Sequence, residues 1–391
     1  MLKTFLVLCL LWWQVGGILG GIAVAQTLEG THALERLFEQ PLETSWFSPT
    51  FLQAVPAAQI EQLLGQIQQD LGAYQGVQDL GEGRYRVAFE RGTIEAQVDL
   101  NATGQFIGLR FRPAGLSPAE AAQAVQDLPG EVSLLIQQDG EVLTQFQSDR
   151  PLAVGSAFKL AVLAALQQQI EDGQIAWDQV VPLNPNWKSL PSGLLQDWPD
   201  NAPLTIQTLA TLMISLSDNT ATDALMAAVG QESLQAFRGQ NQPLLSTQQA
   251  FKLKNPENAD LLRQYRAGER EAAVAQLDDR PLPTVELFAA DAIAPDVEWF
   301  FSAQELCQLM AQVEDLPLMQ VNPGLASPQQ WSQIAFKGGS EPGVLNFTTT
   351  LQDGNRQRYC VVMTVNAAQA LPENELALLY ERIIEGLIPL R

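Results

Sequence analysis

The sequence predicts an α+β protein built in two parts. Three observations carry that prediction. Helical periodicities precede a run of alternating strands in the first 113 residues. A second set of strand hairpins then brackets a long helical stretch, and one more helix closes the chain. A length of 391 residues fits about two domains, and at 46% hydrophobic the composition supplies a sizeable core.

Residues 1–25 read as a secretory signal. Lys3 gives the positive start, Phe5 to Trp13 the apolar run, and Ala23-Val24-Ala25 the small-residue cleavage site. The alternative is an uncleaved anchor, because Ile18 to Val24 extends the apolar run; Gln14 and the interleaved glycines argue for cleavage. An exported protein, periplasmic or extracellular, with no stable membrane span after cleavage is therefore expected.

Residues 27–113 form the first expected domain. Leu34, Leu37 and Phe38 fall on one face of a helix over 31–40. Ser48-Pro49 caps a short helix, and Ile60, Leu63, Leu64, Ile67 and Leu71 mark a longer one that ends at Gly72. Tyr85, Val87 and Phe89 then alternate, Arg91-Gly92 turns, and Ile94, Ala96 and Val98 answer. Phe106 to Phe111 completes the sheet. This order of elements resembles the cone-shaped NTF2-like domains. The resemblance implies a ligand cavity or lid; a scaffold or docking role is the plainer reading.

Pro113-Ala114-Gly115 is a boundary, and the second domain is expected over 117–391. Ser117-Pro118 caps its first helix. Val132 to Ile136 and Val142 to Phe146 form a hairpin around Asp139-Gly140. A helix follows from Ala157 to Ile170 and ends near Gly173. Residues 182–204 are loop-like; Thr205 caps another helix, and Ser217-Asp218-Asn219 lies in the turn after it. A helix spans 302–313, strands follow from Phe336, Val344 and Tyr359, and Pro372 to Leu387 is the closing helix.

The net charge of −22 argues against nucleic acid or an anionic membrane surface as partner. No Cys or His cluster has metal-ligand spacing, so neither metal nor cofactor is implied. After cleavage only Cys307 and Cys360 remain. Export permits a disulfide between them, but both also suit a core.

The chemistry concentrates in Val154-Gly155-Ser156-Ala157-Phe158-Lys159. Ser and Lys at i and i+3 share a helix face within one turn. The Ser sits near a helix N-terminus, where free N–H groups favour a developing oxyanion. Its usual base would be His, but the one His, His32, is remote in sequence, which leaves Lys159. Alone, the tetrapeptide also fits a capped helix with a solvated Lys. Ser217-Asp218-Asn219 and Lys337-Gly338-Gly339-Ser340, in that order, change the reading.

With S-x-x-K, S-D-N and K-[TS]-G, the chain from Pro118 to Arg391 resembles the serine β-lactamases and penicillin-binding proteins. The resemblance implies an antiparallel sheet flanked by helices with an all-α subdomain. It implies an active-site-serine hydrolase that opens a β-lactam or related amide or ester through an acyl-enzyme. Ser156 would attack, Lys159 accept its proton, Ser217 relay a proton to the leaving group, and Lys337 contact Ser217. Asn219, Gly339 and Ser340 would bind substrate, with the Ser156 and Ser340 N–H groups as oxyanion hole. Two departures open alternatives. Gly338 stands where the family has Thr or Ser, and no E-x-x-L-N segment supplies a deacylating base. Glu257 is the nearest substitute, or else a solvated helix-start acid. An esterase or peptidase on another acyl donor, or a slowly acylating sensor signalling through residues 27–113, therefore stands beside the β-lactam reading. The small-molecule substrate and the oligomeric state are not readable.

Overall fold

The computed structural model describes residues 23–288 and 294–388, with side chains from residue 30 onward. Most of the leader read over 1–25 lies outside the described residues. The chain divides into two compact units, one ending at Ala114 and one spanning Gly115–Ile388.

The first unit places three helices before a sheet: α1 (Ala23–Glu39), α2 (Pro49–Ala54) and α3 (Ala57–Leu71). The Ser48 hydroxyl caps α2 by accepting the Phe51 N–H at 3.2 Å. Strands β1 (Tyr74–Gly81), β2 (Arg84–Phe89), β3 (Gly92–Leu100) and β4 (Phe106–Pro113) follow in an antiparallel meander, neighbours in sequence being neighbours in space. Tyr85, Val87 and Phe89 are buried on the same face as Ile94, Ala96 and Val98, against Leu34 and Leu64 of the helices. The register sets Val87 opposite Ile94, so the alternation in sequence becomes one apolar face. Strand β1 escapes the sequence reading because it is an edge strand, largely half-exposed, with little alternation to detect.

The second unit begins with α4 (Pro118–Gln126), closed by a capping box between Ser117 and Glu120. Strands β5 (Glu131–Gln138) and β6 (Glu141–Phe146) form the expected hairpin. Asp139 and Gly140 both have positive φ, 50° and 85°, as a tight two-residue turn requires. A short strand β7 (Leu152–Ala153) leads into a 3₁₀ turn over Gly155–Phe158 and then α5 (Lys159–Glu171). Strands β8 (Val180–Pro182) and β9 (Pro203–Thr205) pair across the proline-rich loop. Helices α6 (Ile206–Ser215), α7 (Asn219–Val229), α8 (Gln231–Leu234), α9 (Thr247–Lys254), α10 (Ala259–Arg266) and α11 (Arg270–Val274) form the helical insert. Then come β10 (Phe300–Phe301), α12 (Ala303–Val313), β11 (Gln333–Glu341), β12 (Val344–Gln352), β13 (Arg358–Asn366) and α13 (Glu373–Glu385).

The main sheet has the order β11-β12-β13-β5-β6, antiparallel throughout. Its two faces bury different cores. Leu134 and Ile136 of β5 pack with Tyr380 and Ile383 of α13. Leu135 points the other way, into the core around α5 and α12. Helix α5 is buried on almost every side from Lys159 to Leu166, which marks it as the central helix of the unit. Cys307 of α12 and Cys360 of β13 form a disulfide with Cα atoms 6.0 Å apart. Strand β11 lies at the edge of the sheet, so one side of its backbone is free of strand partners.

Candidate active site

The edge strand, the start of α5 and the turn between α6 and α7 converge. Gly339 is what lets them meet. A Cβ there would stand 2.1 Å from the Val154 carbonyl oxygen and 2.4 Å from the Ser156 nitrogen. Gly155, at φ +49°, faces the same strand, its missing Cβ 3.2 Å from the Ser340 nitrogen. The Ser156 and Ser340 N–H groups are thus brought side by side at the first turn of the central helix. Phe158 stacks on Trp299 with centroids 4.2 Å apart, and the Val154 N–H donates to the Trp299 carbonyl at 2.9 Å. Both contacts hold the turn that presents Ser156.

Lys159 is fully buried. Its Nζ donates to the Ser217 carbonyl at 2.6 Å, to the Asn219 Oδ1 at 2.7 Å and meets the Ser217 hydroxyl at 3.1 Å. Lys337, also buried, donates to the same Ser217 hydroxyl at 3.0 Å and to the Gly338 carbonyl at 2.6 Å. One hydroxyl therefore sits between two buried amines. Burial, and then the neighbouring Lys337 charge, push Lys159 well below the usual lysine range. Burial brings Lys337 down to about 7.

Ser217 holds this position in a left-handed conformation, φ +55°, which costs a non-glycine residue about 1–3 kcal/mol. The surroundings fix it there. The Ser192 hydroxyl donates to its carbonyl at 2.7 Å, beside the bond from Lys159. Asp218 caps α7 through the Ala221 N–H and accepts the Leu194 and Leu195 N–H groups at 2.7 and 3.0 Å. The Asn219 amide donates to the Leu190 carbonyl at 3.0 Å. The 190–195 loop and the 217–219 turn thus form one hydrogen-bonded block.

Below it lies a buried acid that the motifs do not contain. Asp223 accepts the Thr247 N–H and hydroxyl at 2.7 and 2.8 Å and the Gln248 N–H at 2.9 Å, anchoring the start of α9. Burial pushes its carboxyl up to about 6. Its signal in the sequence was helical spacing: Asp223 is four residues beyond Asn219 and shares its face. Glu257 is exposed on a 3₁₀ turn over Pro256–Asn258 and is not among the partners of Lys159. The Gly338 position also has a neighbour that the sequence does not announce. A Cβ there would lie 2.9 Å from the Phe336 ring and 3.0 Å from the Asn346 carbonyl oxygen.

A family model described as the beta-lactamase enzyme family matches residues 118–383. The chain belongs to the beta-lactamase enzyme family. It is a serine hydrolase of the β-lactamase type, and its second unit has the corresponding fold. Among similar solved structures, PBP-A is 17% identical with a TM-score of 0.48, covering 70% of this chain and 97% of its own. A beta-lactamase from Sphaerobacter thermophilus is 20% identical with a TM-score of 0.46, covering 69% and 94%. One from Chitinophaga pinensis is 16% identical with a TM-score of 0.46, covering 69% and 93%. No curated protein matches the chain.

Proposed function

We propose that this serine hydrolase is exported and cleaves a β-lactam or a related small amide or ester through an acyl-enzyme on Ser156. The observation that carries the reading is the Ser217 hydroxyl held between two buried lysines. A neutral amine has two N–H donors and one lone pair. In Lys159 the donors go to the Ser217 carbonyl and Asn219, so the lone pair remains for an O–H group.

The steps follow from that inventory. The Ser156 hydroxyl attacks the acyl carbon and its proton passes to Lys159. The carbonyl oxygen becomes an oxyanion between the Ser156 and Ser340 N–H groups. The bond to the leaving group breaks as the Ser217 hydroxyl gives that group a proton, and Lys159 returns a proton to Ser217. Lys337 stabilises the transient alkoxide. One Asn219 N–H is spent on Leu190, which leaves the other for the amide carbonyl of the substrate. Water then attacks the acyl-enzyme.

No carboxylate hydrogen-bonds to Lys159 among the described residues, and Glu257 is exposed. Those facts favour a second reading, in which the acyl-enzyme persists and the protein acts as a sensor. The signal-like leader and the disulfide support export. No described helix is long and apolar enough to cross a membrane. The NTF2-like reading of residues 27–113, as scaffold or docking domain, rests on the order of helices and strands.

Purified protein is to be incubated with a chromogenic cephalosporin, a p-nitrophenyl ester and a labelled penicillin, with intact mass followed over time. Continued product release supports the hydrolase, and a persistent stoichiometric adduct supports the sensor. Absence of both, with Ser156→Ala indistinguishable from wild type, removes the acyl-enzyme reading.

A further inference from the structure

The residues that border the oxyanion position carry unexpected charge. Ser340 contributes its N–H beside that of Ser156, so any acyl donor must lie against the end of β11. The Ser340 hydroxyl donates to the Glu373 carboxylate at 2.5 Å, from the first turn of α13. That hydroxyl therefore has only lone pairs left to offer a ligand. Gly338 has no side chain, and the Phe336 ring occupies the space above it. Glu341, the next residue along β11, is ion-paired with Lys254 and points to the opposite face of the strand, so the uncompensated carboxylate here is that of Glu373. The cations of the site do not offset this. Lys159 and Lys337 are buried, and the polar partners described above occupy them. Burial also leaves Lys337 only partly charged at neutral pH.

We infer that Glu373, positioned by Ser340, is a specificity-determining residue that disfavours acyl donors carrying a carboxylate near the scissile group and favours neutral or cationic ones. The inference rests on acylation of Ser156 and narrows its substrate class. The physical cause is like-charge repulsion at short range, with no free O–H donor or cation at 338–340 to compensate it. Hydrolysis of the favoured donor uses the same bonds as above: the acyl–oxygen or acyl–nitrogen bond breaks, and water supplies the final oxygen.

The test uses the full-length protein and three p-nitrophenyl esters with acyl chains of matched length: neutral, ω-carboxylate and ω-ammonium. The burst of p-nitrophenolate reports acylation. We expect kcat/KM for acylation to be on the order of tenfold lower for the carboxylate ester than for the ammonium ester at low salt, with the gap narrowing at high salt. Glu373→Gln should shrink that ratio several-fold, with the neutral ester nearly unaffected. Glu375→Gln, on the same exposed turn, should leave the ratio unchanged. Thermal melts establish that each variant folds. Equal rates for the three esters, a preference for the carboxylate, or a ratio that ignores Glu373→Gln overturns the charge selection and leaves the acyl-enzyme standing. A wild type that gives no burst with any ester overturns both.

Discussion

Two buried lysine sites in the second unit make opposite use of the same side chain. At one, Lys159 and Lys337 share a hydroxyl and face backbone carbonyls and an amide. At the other, Lys254 lies between the Glu298 and Glu341 carboxylates and is equally inaccessible. Burial penalises the ammonium at all three. It prevails at Lys159, where the largest charge contribution is that of another lysine, against smaller pulls from Asp223, Asp218 and Glu341. It loses at Lys254, which two carboxylates push up. Two acids share one ammonium there, and burial and then the Glu341 charge push Glu298 up to about 8. A buried lysine becomes a base when its neighbours are amines and dipoles, and a staple when they are acids. The staple lies beside the site: Glu298 precedes Trp299, which backs Phe158, and Glu341 ends the oxyanion strand.

This contrast can be broken from either side. The largest effect is expected at Lys159. Lys159→Met should slow Ser156 acylation about 10²–10⁴-fold with a small net change in thermal stability, because relief from burying an amine offsets the acceptors on Ser217 and Asn219 that it leaves unpaired. Burst kinetics and a thermal melt measure both halves, and a cooperative melt with normal acylation would reject Lys159 as base. Lys254→Met should do the reverse and cost about 3 kcal/mol in urea denaturation, since two acids lose their cation. Adding Glu298→Gln should restore part of that loss; equal loss in the double variant would mean that the carboxylate was not the cause.

Asp223→Asn should cost about 1–3 kcal/mol, because an amide must present N–H to one of the donors that Asp223 now accepts. The smallest effect is a displaced pH profile. The Lys337 charge lowers the Lys159 pKa. Lys337→Met should therefore let Lys159 keep its proton to higher pH and move the rising limb of acylation upward. The same variant has a stability signature. Lys337 titrates at about 7 when folded, against 10.5 in the free side chain. The unfolded chain thus holds more protons in that window, and wild-type stability gains from this group as pH rises through it. The variant should lack that gain, and chemical denaturation at pH 7 and 9.5 tests it.

Much of the catalytic unit was legible because its signals are local. The Asp139-Gly140 turn, the Ser117 and Thr205 caps and the apolar runs of β5 and β13 depend on neighbours within a few residues. Strand β1 and the short pairs β8–β9 and β7–β10 were not legible, because their partners, rather than their own pattern, make them strands. At the site, the three motifs pointed to Ser156, Lys159, Ser217, Asn219 and Lys337 before any geometry. Ser192, Asp223, Thr247 and Glu373 belong to no motif. Each acts through a contact 24 or more residues away, as in Thr247 to Asp223 and Ser192 to Ser217.

The sequence by itself determined which elements form and which residue types are available to react, because propensity, capping and hydrophobic period are short-range. Only the tertiary structure decided which lysines lose their charge and which keep it. It also decided that the Ser340 hydroxyl is spent on Glu373 and that Cys307 meets Cys360. Those outcomes depend on burial and on charges brought together across the chain, and the energy of a charge in a protein is set by what surrounds it in space.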